Sequence, residues 1–186
     1  MKLRFPLVML ALLLLFTACT PPAAGETEFT FRNNITWGAT MDQVQTAEGG
    51  EPRCDDNGPL DLLIYEQAAV SNYEAELMYI FLDDSLVIAY YYFEELPSHD
   101  YDYLAKALTS KYGEPMAADP VRQYTLMQVL DPGNYGVYKL TNWELNDGTL
   151  VALFSMDDDM EEQFALVYSD EQTVLQAGGL YNTNGL

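Results

Sequence analysis

Apolar residues first come in one dense block. Phe5 to Phe16 is almost wholly hydrophobic, with Leu12 to Leu15 unbroken. From Phe29 onward they fall into short periodic runs, separated by Gly, Pro, Asn and Asp. Two runs have helical spacing. Met41, Val44 and Ala47 share one face of a helix that Thr40 opens, with Gln43 three residues on as a capping box. Gly49 and Gly50 end it, and Pro52 prevents resumption. Tyr101, Leu104, Ala105, Leu108 and Tyr112 form a longer stripe at i, i+3, i+4, i+7 and i+11. Ser98 is its expected cap. Asp100 and Asp102 stand near the positive end of the dipole, with Lys106 and Lys111 further along. Gly113 stops this helix and Pro115 follows.

The remaining runs read as strands. Leu60 to Glu66 and Val121 to Leu130 each follow a helix. Two hairpins come next, Ala75–Leu82 with Leu86–Phe93 and Tyr138–Leu145 with Thr149–Met156. Their turns are Asp83-Asp84-Ser85 and Asn146-Asp147-Gly148. Gln163 to Tyr168 makes a further strand. Leu86 to Phe93 is apolar or aromatic on both alternating faces, which predicts a central strand covered on both sides. Trp143 projects opposite to Asn142 and Glu144, so its face is the expected buried one.

Self-similarity suggests a repeat. Gly50-Glu51-Pro52 recurs as Gly113-Glu114-Pro115, an offset of 63 residues that also superposes the two hairpin turns. The pattern predicts an α+β fold: a tandem repeat of a helix followed by antiparallel strands, with the helices packed on one face of an antiparallel sheet. The expected single domain covers residues 29–168, with repeats of about 35–97 and 98–168 and a loosely structured tail over 169–186.

Ile35-Thr36-Trp37-Gly38-Ala39-Thr40-Met41-Asp42-Gln43-Val44, closing at Gly50-Glu51-Pro52, resembles the opening of the SmpA/OmlA (BamE) lipoprotein domain and the related β-lactamase-inhibitor-protein fold. A strand bearing Tyr65 and the hairpin from Phe81 to Val87 continue the likeness. The second copy departs from it, with Asp100 where Trp37 would stand. The resemblance implies a tandem helix-plus-sheet fold and a role in binding protein partners. It implies no catalytic residues.

The dense N-terminal block fits the same picture. Lys2 and Arg4 precede it, and it is too short to span a bilayer, which takes about 20 residues. It has the length of a signal-peptide core. It closes on Phe16-Thr17-Ala18-Cys19, which resembles a bacterial lipobox. That resemblance implies a signal peptide over residues 1–18, a lipid of the palmitate type on Cys19, and a tether over 19–28. The expected location is the extracytoplasmic side of the plasma membrane, or the outer membrane if the source is diderm. Thr20 replaces the Asp that would retain the protein at an inner membrane.

Charge then narrows the partners. The chain carries 29 acids and 8 bases, a net charge of −21. Loss of Lys2 and Arg4 with the signal leaves −23. Nucleic-acid binding through a basic face is excluded. A cationic or aromatic-binding protein partner suits the balance, and fourteen tyrosines supply rings for it. Trp37, Tyr90 and Tyr92 are the candidate partner surface. Chemistry is sparse. His99 is the single histidine and sits at a helix start, and Cys54 lies in a polar loop beside Asp55 and Asp56. Neither supports nucleophilic catalysis, and no cofactor is expected. Asp157, Asp158, Asp159 and Glu161 are weak candidates for calcium. The sequence therefore predicts a non-enzymatic, lipid-anchored binding or scaffold protein. Its rivals are a carboxylate-based hydrolase of cell-wall or glycan material and a calcium or small-ligand binding module.

Overall fold

Seven runs of extended backbone hydrogen-bond into one antiparallel sheet. The computed structural model describes residues 29–57, 60–93, 96–117, 136–158, 161–170 and 172–173. The strands are β1 (Arg53–Asn57), β2 (Leu60–Val70), β3 (Tyr73–Leu82), β4 (Ser85–Phe93), β5 (Gly136–Glu144), β6 (Thr149–Asp158) and β7 (Glu161–Asp170). Their order across the sheet is β1-β2-β3-β4-β7-β6-β5. Each half is a meander of hairpins. The halves meet where β4 pairs β7, with Ile88 opposite Ser169 and Phe93 opposite Phe164. β4 is thus the middle strand, as its two apolar faces require.

The expected tandem α+β repeat is overturned. The molecule is mainly β, and the described residues contain only two α-helices, α1 (Met41–Glu48) and α2 (Ser98–Tyr112). The helices are unequal, with 8 and 15 residues. β7 also inserts between β4 and β6, so the sheet is not two copies of one helix-and-hairpin unit laid side by side. Alternation with period two runs through most of the chain, and cross-strand pairing of those runs outweighs the two short amphipathic stripes.

Local signals explain the elements. Thr40 accepts from Gln43 N at 3.3 Å, and the Gln43 side chain accepts from Thr40 N at 2.9 Å, a complete capping box. Only Val44 of the α1 face is fully buried, while Ala47 is exposed. The N-cap position of α2 is held by Pro97, not Ser98. Gly113 closes α2 at φ 92°, a conformation that costs glycine little. Asp83 and Asp84 both have positive φ, which gives the β3–β4 hairpin the primed turn that matches strand twist. Cys54 lies in β1, not in a loop, because Arg53 to Asn57 pair with Ile64 to Leu60 along an edge of the sheet. Its polar sequence hides a strand that needs only one partner. β7 continues through Ser169 to Asp170. The strand expected over Val121–Leu130 and the tail from 174 lie outside the described residues.

Two cores result, one on each face of the sheet. The larger joins Val44 of α1 and Tyr101, Leu104 and Leu108 of α2 to Leu77, Tyr79, Phe93, Trp143, Leu153 and Leu166 of the strands. The other gathers Ile80, Val87, Ile88, Phe154, Ala165 and Val167 on the face away from the helices.

Candidate functional site

The three candidate partner residues divide between the faces. Trp37 packs into the helix-side core, and Tyr90 and Tyr92 belong to the opposite one. Trp37 donates Nε1–H to Thr149 Oγ1 at 2.8 Å and stacks on Phe29 at 5.9 Å between ring centres. Its neighbours complete a strap across one end of the sheet. Gly38 N–H reaches Leu86 O at 3.0 Å, and Leu86 N–H reaches Ala39 O at 2.9 Å. Met41 N–H donates to Asp84 Oδ1 at 3.0 Å. Phe29 N–H donates to the Asp147 carboxylate, which also accepts from Thr149 N at 3.0 Å. Burial pushes the Asp147 carboxyl up, these backbone donors pull it down, and the net position is below the ordinary carboxylate value. The Trp-Gly motif therefore ties α1 to the β3–β4 and β5–β6 turns, and Trp37 serves the fold.

Tyr92 has a different setting. It stands opposite Glu76 on β3, and alternation places Glu74 on the same face, because Ala75 and Leu77 point into the helix-side core. A register shift in β2 after Tyr65 takes Glu66 out of the ladder nearby, where its exposed carboxylate lies 3.9 Å from Arg53 Nε. Together these residues and Tyr73 line a cleft of about 420 Å³ at the tip of the β2–β3 hairpin. Tyr73 packs edge-on against Phe93. Its hydroxyl is held protonated above the ordinary phenol value by desolvation first, then by its hydrogen bond to the Asp100 carboxylate. That bond links the hairpin tip to the start of α2. Tyr90 lies one turn of the pleat away and donates to Met78 Sδ at 2.7 Å.

The cleft and the strap occupy opposite ends of the sheet. Leu82 pairs with Ser85 and Thr149 with Asp170 at the strap end. Val70 pairs with Tyr73 at the other end, where Asp157 also stands opposite Glu162 and Asp158 opposite Glu161. Three carboxylates of the cleft and the acidic β6–β7 hairpin therefore share one end. The side chains of Asp157, Asp158 and Glu161, and all of Asp159, lie outside the described residues, as do Cys19 and the side chain of His99. Among the described residues no group of His, Cys, Asp and Glu side chains converges to hold a metal ion. No described helix is long and apolar enough to cross a membrane. Cys54 is exposed, with Gln45 Nε2 at 3.9 Å from its sulfur.

Sequence reasoning missed a buried charge network. Glu48, at the C-terminal end of α1, has a side chain only 4% exposed. It pairs with Arg32 Nε at 3.1 Å and accepts from Asn33 Nδ2 at 3.1 Å and from the Tyr79 hydroxyl. Tyr91 in turn hydrogen-bonds the Arg32 guanidinium. A glutamate at the negative end of a helix dipole is the one local signal that could have found it.

Burial raises Tyr79, Tyr91 and Tyr168 above the ordinary phenol value; Glu48 raises Tyr79 further, Arg32 opposes the rise at Tyr91, and Tyr112 adds to it at Tyr168. The folded state then keeps protons that the unfolded chain loses above about pH 10. Their contribution to stability is intact below that value and is lost as pH rises toward the folded-state values. In an alkaline titration, these buried tyrosines ionise only as the far-ultraviolet circular dichroism collapses. Stepwise tyrosinate formation in a still-folded protein would contradict the burial.

Comparison with family models, curated proteins and solved structures finds no match to this chain.

Proposed function

We propose that this chain is a lipid-anchored, non-enzymatic binding protein of the cell envelope that holds a basic segment of a protein partner at the free end of its sheet. The observation that carries the reading is the cleft in which Glu66, Glu74 and Glu76 surround Tyr92. Carboxylates pair with Lys or Arg heads, and ring faces take their alkyl stems and cationic tips. Phe29, the first described residue, is tied down at the opposite end. An anchor on Cys19 would therefore meet the domain there and leave the cleft facing away from the membrane.

Two measurements test this. A labelled fatty acid fed to the cells is incorporated into the protein, and Cys19→Ala abolishes the label; a wild-type chain that takes up no label removes the anchor. A photo-crosslinking residue at Glu74 captures a protein partner in intact cells, and the same residue at Lys106 on α2 does not. High salt abolishes the adduct, because at 1 M the screening length falls to about 3 Å, and the pair Glu66→Lys and Glu76→Lys abolishes it by reversing the charge. Equal capture from both positions, or none from Glu74, sinks the partner surface.

A further inference from the structure

A second cleft opens on the helix-bearing face, about 360 Å³ in volume. Tyr91 of β4 and Tyr168 of β7 form its floor. Phe29 and Arg32, from the segment before α1, and Lys111 and Tyr112, at the end of α2, also line it. Only six bases follow Cys19 in the whole chain. Two of them flank this one cleft.

The two cations are differently engaged. Arg32 gives Nε to Glu48 at 3.1 Å and meets the Tyr91 hydroxyl. A guanidinium carries five N–H donors, so these contacts leave some for a ligand. Lys111 Nζ lies 4.8 Å from the centre of the Tyr112 ring and has no carboxylate partner among the described residues. Among the described residues, Arg32 and Lys111 less Glu48 leave one positive charge in the cleft. That balance suits a monoanion, and a dianion would be under-compensated in so acidic a molecule. The walls are aromatic: Phe29 stacks on Tyr168 at 5.6 Å, and Tyr112 meets Tyr168 edge-on at 6.5 Å. The Tyr112 hydroxyl lies 3.4 Å from that of Tyr168. The volume is that of roughly a dozen waters.

We propose that this cleft binds a small monocarboxylate with a flat apolar body, its carboxylate between Arg32 and Lys111 and its body against Phe29 and Tyr168. The site is distinct from the acidic cleft, which takes a cationic partner and sits at the tip of the β2–β3 hairpin.

Phenylacetate is the probe, titrated into the full mature chain and followed by heteronuclear NMR and calorimetry. The expected result is saturable binding, with shifts centred on Phe29, Tyr112 and Tyr168. Phenylacetamide, which has the same shape without the charge, binds at least about tenfold more weakly, as loss of a charge-assisted contact requires. Lys111→Gln weakens phenylacetate binding by a similar factor. Lys111 is exposed, so the variant keeps its fold, which an unchanged circular dichroism spectrum verifies. Absence of shifts at millimolar phenylacetate overturns the proposal. So does equal binding of the amide, or binding that Lys111→Gln leaves unchanged.

Discussion

Truncating Trp143 to alanine should lower the unfolding free energy by about 4 kcal/mol. Trp143 is the largest of the fully buried side chains, 1% exposed on β5. Its Nε1–H donates to Gly113 O at 3.0 Å, the residue that closes α2. The chain after the helix then returns along the same strand, with Met116 N–H on Asn142 O at 2.7 Å. Alanine therefore removes ring contacts with the helix-side core, opens a cavity, and orphans a helix-terminal carbonyl. In a domain of this size the change corresponds to a fall of about 8–16 °C in Tm. Trp143→Phe separates the causes. It keeps an aromatic ring and should cost only about 1–2 kcal/mol, the value of the lost hydrogen bond with some loss of fit. Urea denaturation of the three proteins measures both. A cost below about 1 kcal/mol for Trp143→Ala would mean that α2 does not depend on this contact.

Glu48 is the second sensitive position. Its carboxylate satisfies three donors at once, and Glu48→Ala leaves Arg32, Asn33 and Tyr79 without their acceptor. Breaking a buried ion pair costs about 3–5 kcal/mol. The Arg32 side chain is 38% exposed and can turn to water, so about 2–3 kcal/mol is expected here. Glu48→Gln keeps acceptor capacity without the charge and should lose less. Combining Glu48→Met with Tyr79→Phe removes donor and acceptor together and should recover part of the loss. A double variant no more stable than Glu48→Ala would show that shape, and not unpaired polarity, governs the site. Denaturant midpoints at constant slope give the answer.

The parts of this fold that were legible are the local ones. The Thr40–Gln43 capping box, the Gly113 stop and the Asp83-Asp84 turn each involve residues within a few positions of one another, so spacing reveals them. The central place of β4 was legible because both its faces are apolar. Long-range choices were not. Trp37 was assigned to a partner surface, and nothing local shows that its hydrogen-bond acceptor is Thr149, far along the chain. β1 was invisible because an edge strand with one partner carries no apolar alternation. The two hairpin turns were legible one by one, but the tandem repeat drawn from their offset is not a property of the sheet, in which β7 lies between β4 and β6. The acidic cleft was half legible: Tyr92 was singled out by its strand, while Glu66, Glu74 and Glu76 join it only through the β2 register shift and the hairpin tip. The Arg32–Lys111 cleft was not legible at all, since its residues come from five separate segments.

The β4–β7 seam also governs how the chain must be made. β1 to β4 zip as consecutive hairpins, whereas β7 is synthesised last and closes a loop that spans α2, β5 and β6. Closing so long a loop is a slow step compared with pairing neighbours. Until it happens, β4 has one bare edge along Ile88 to Phe93, in the most apolar strand of the sheet, and Val87 and Ile88 lack the side chains that later cover them. A half-made domain is thus a ready template for strand addition by another chain. A chain emerging residue by residue would therefore need β4 shielded until β7 arrives.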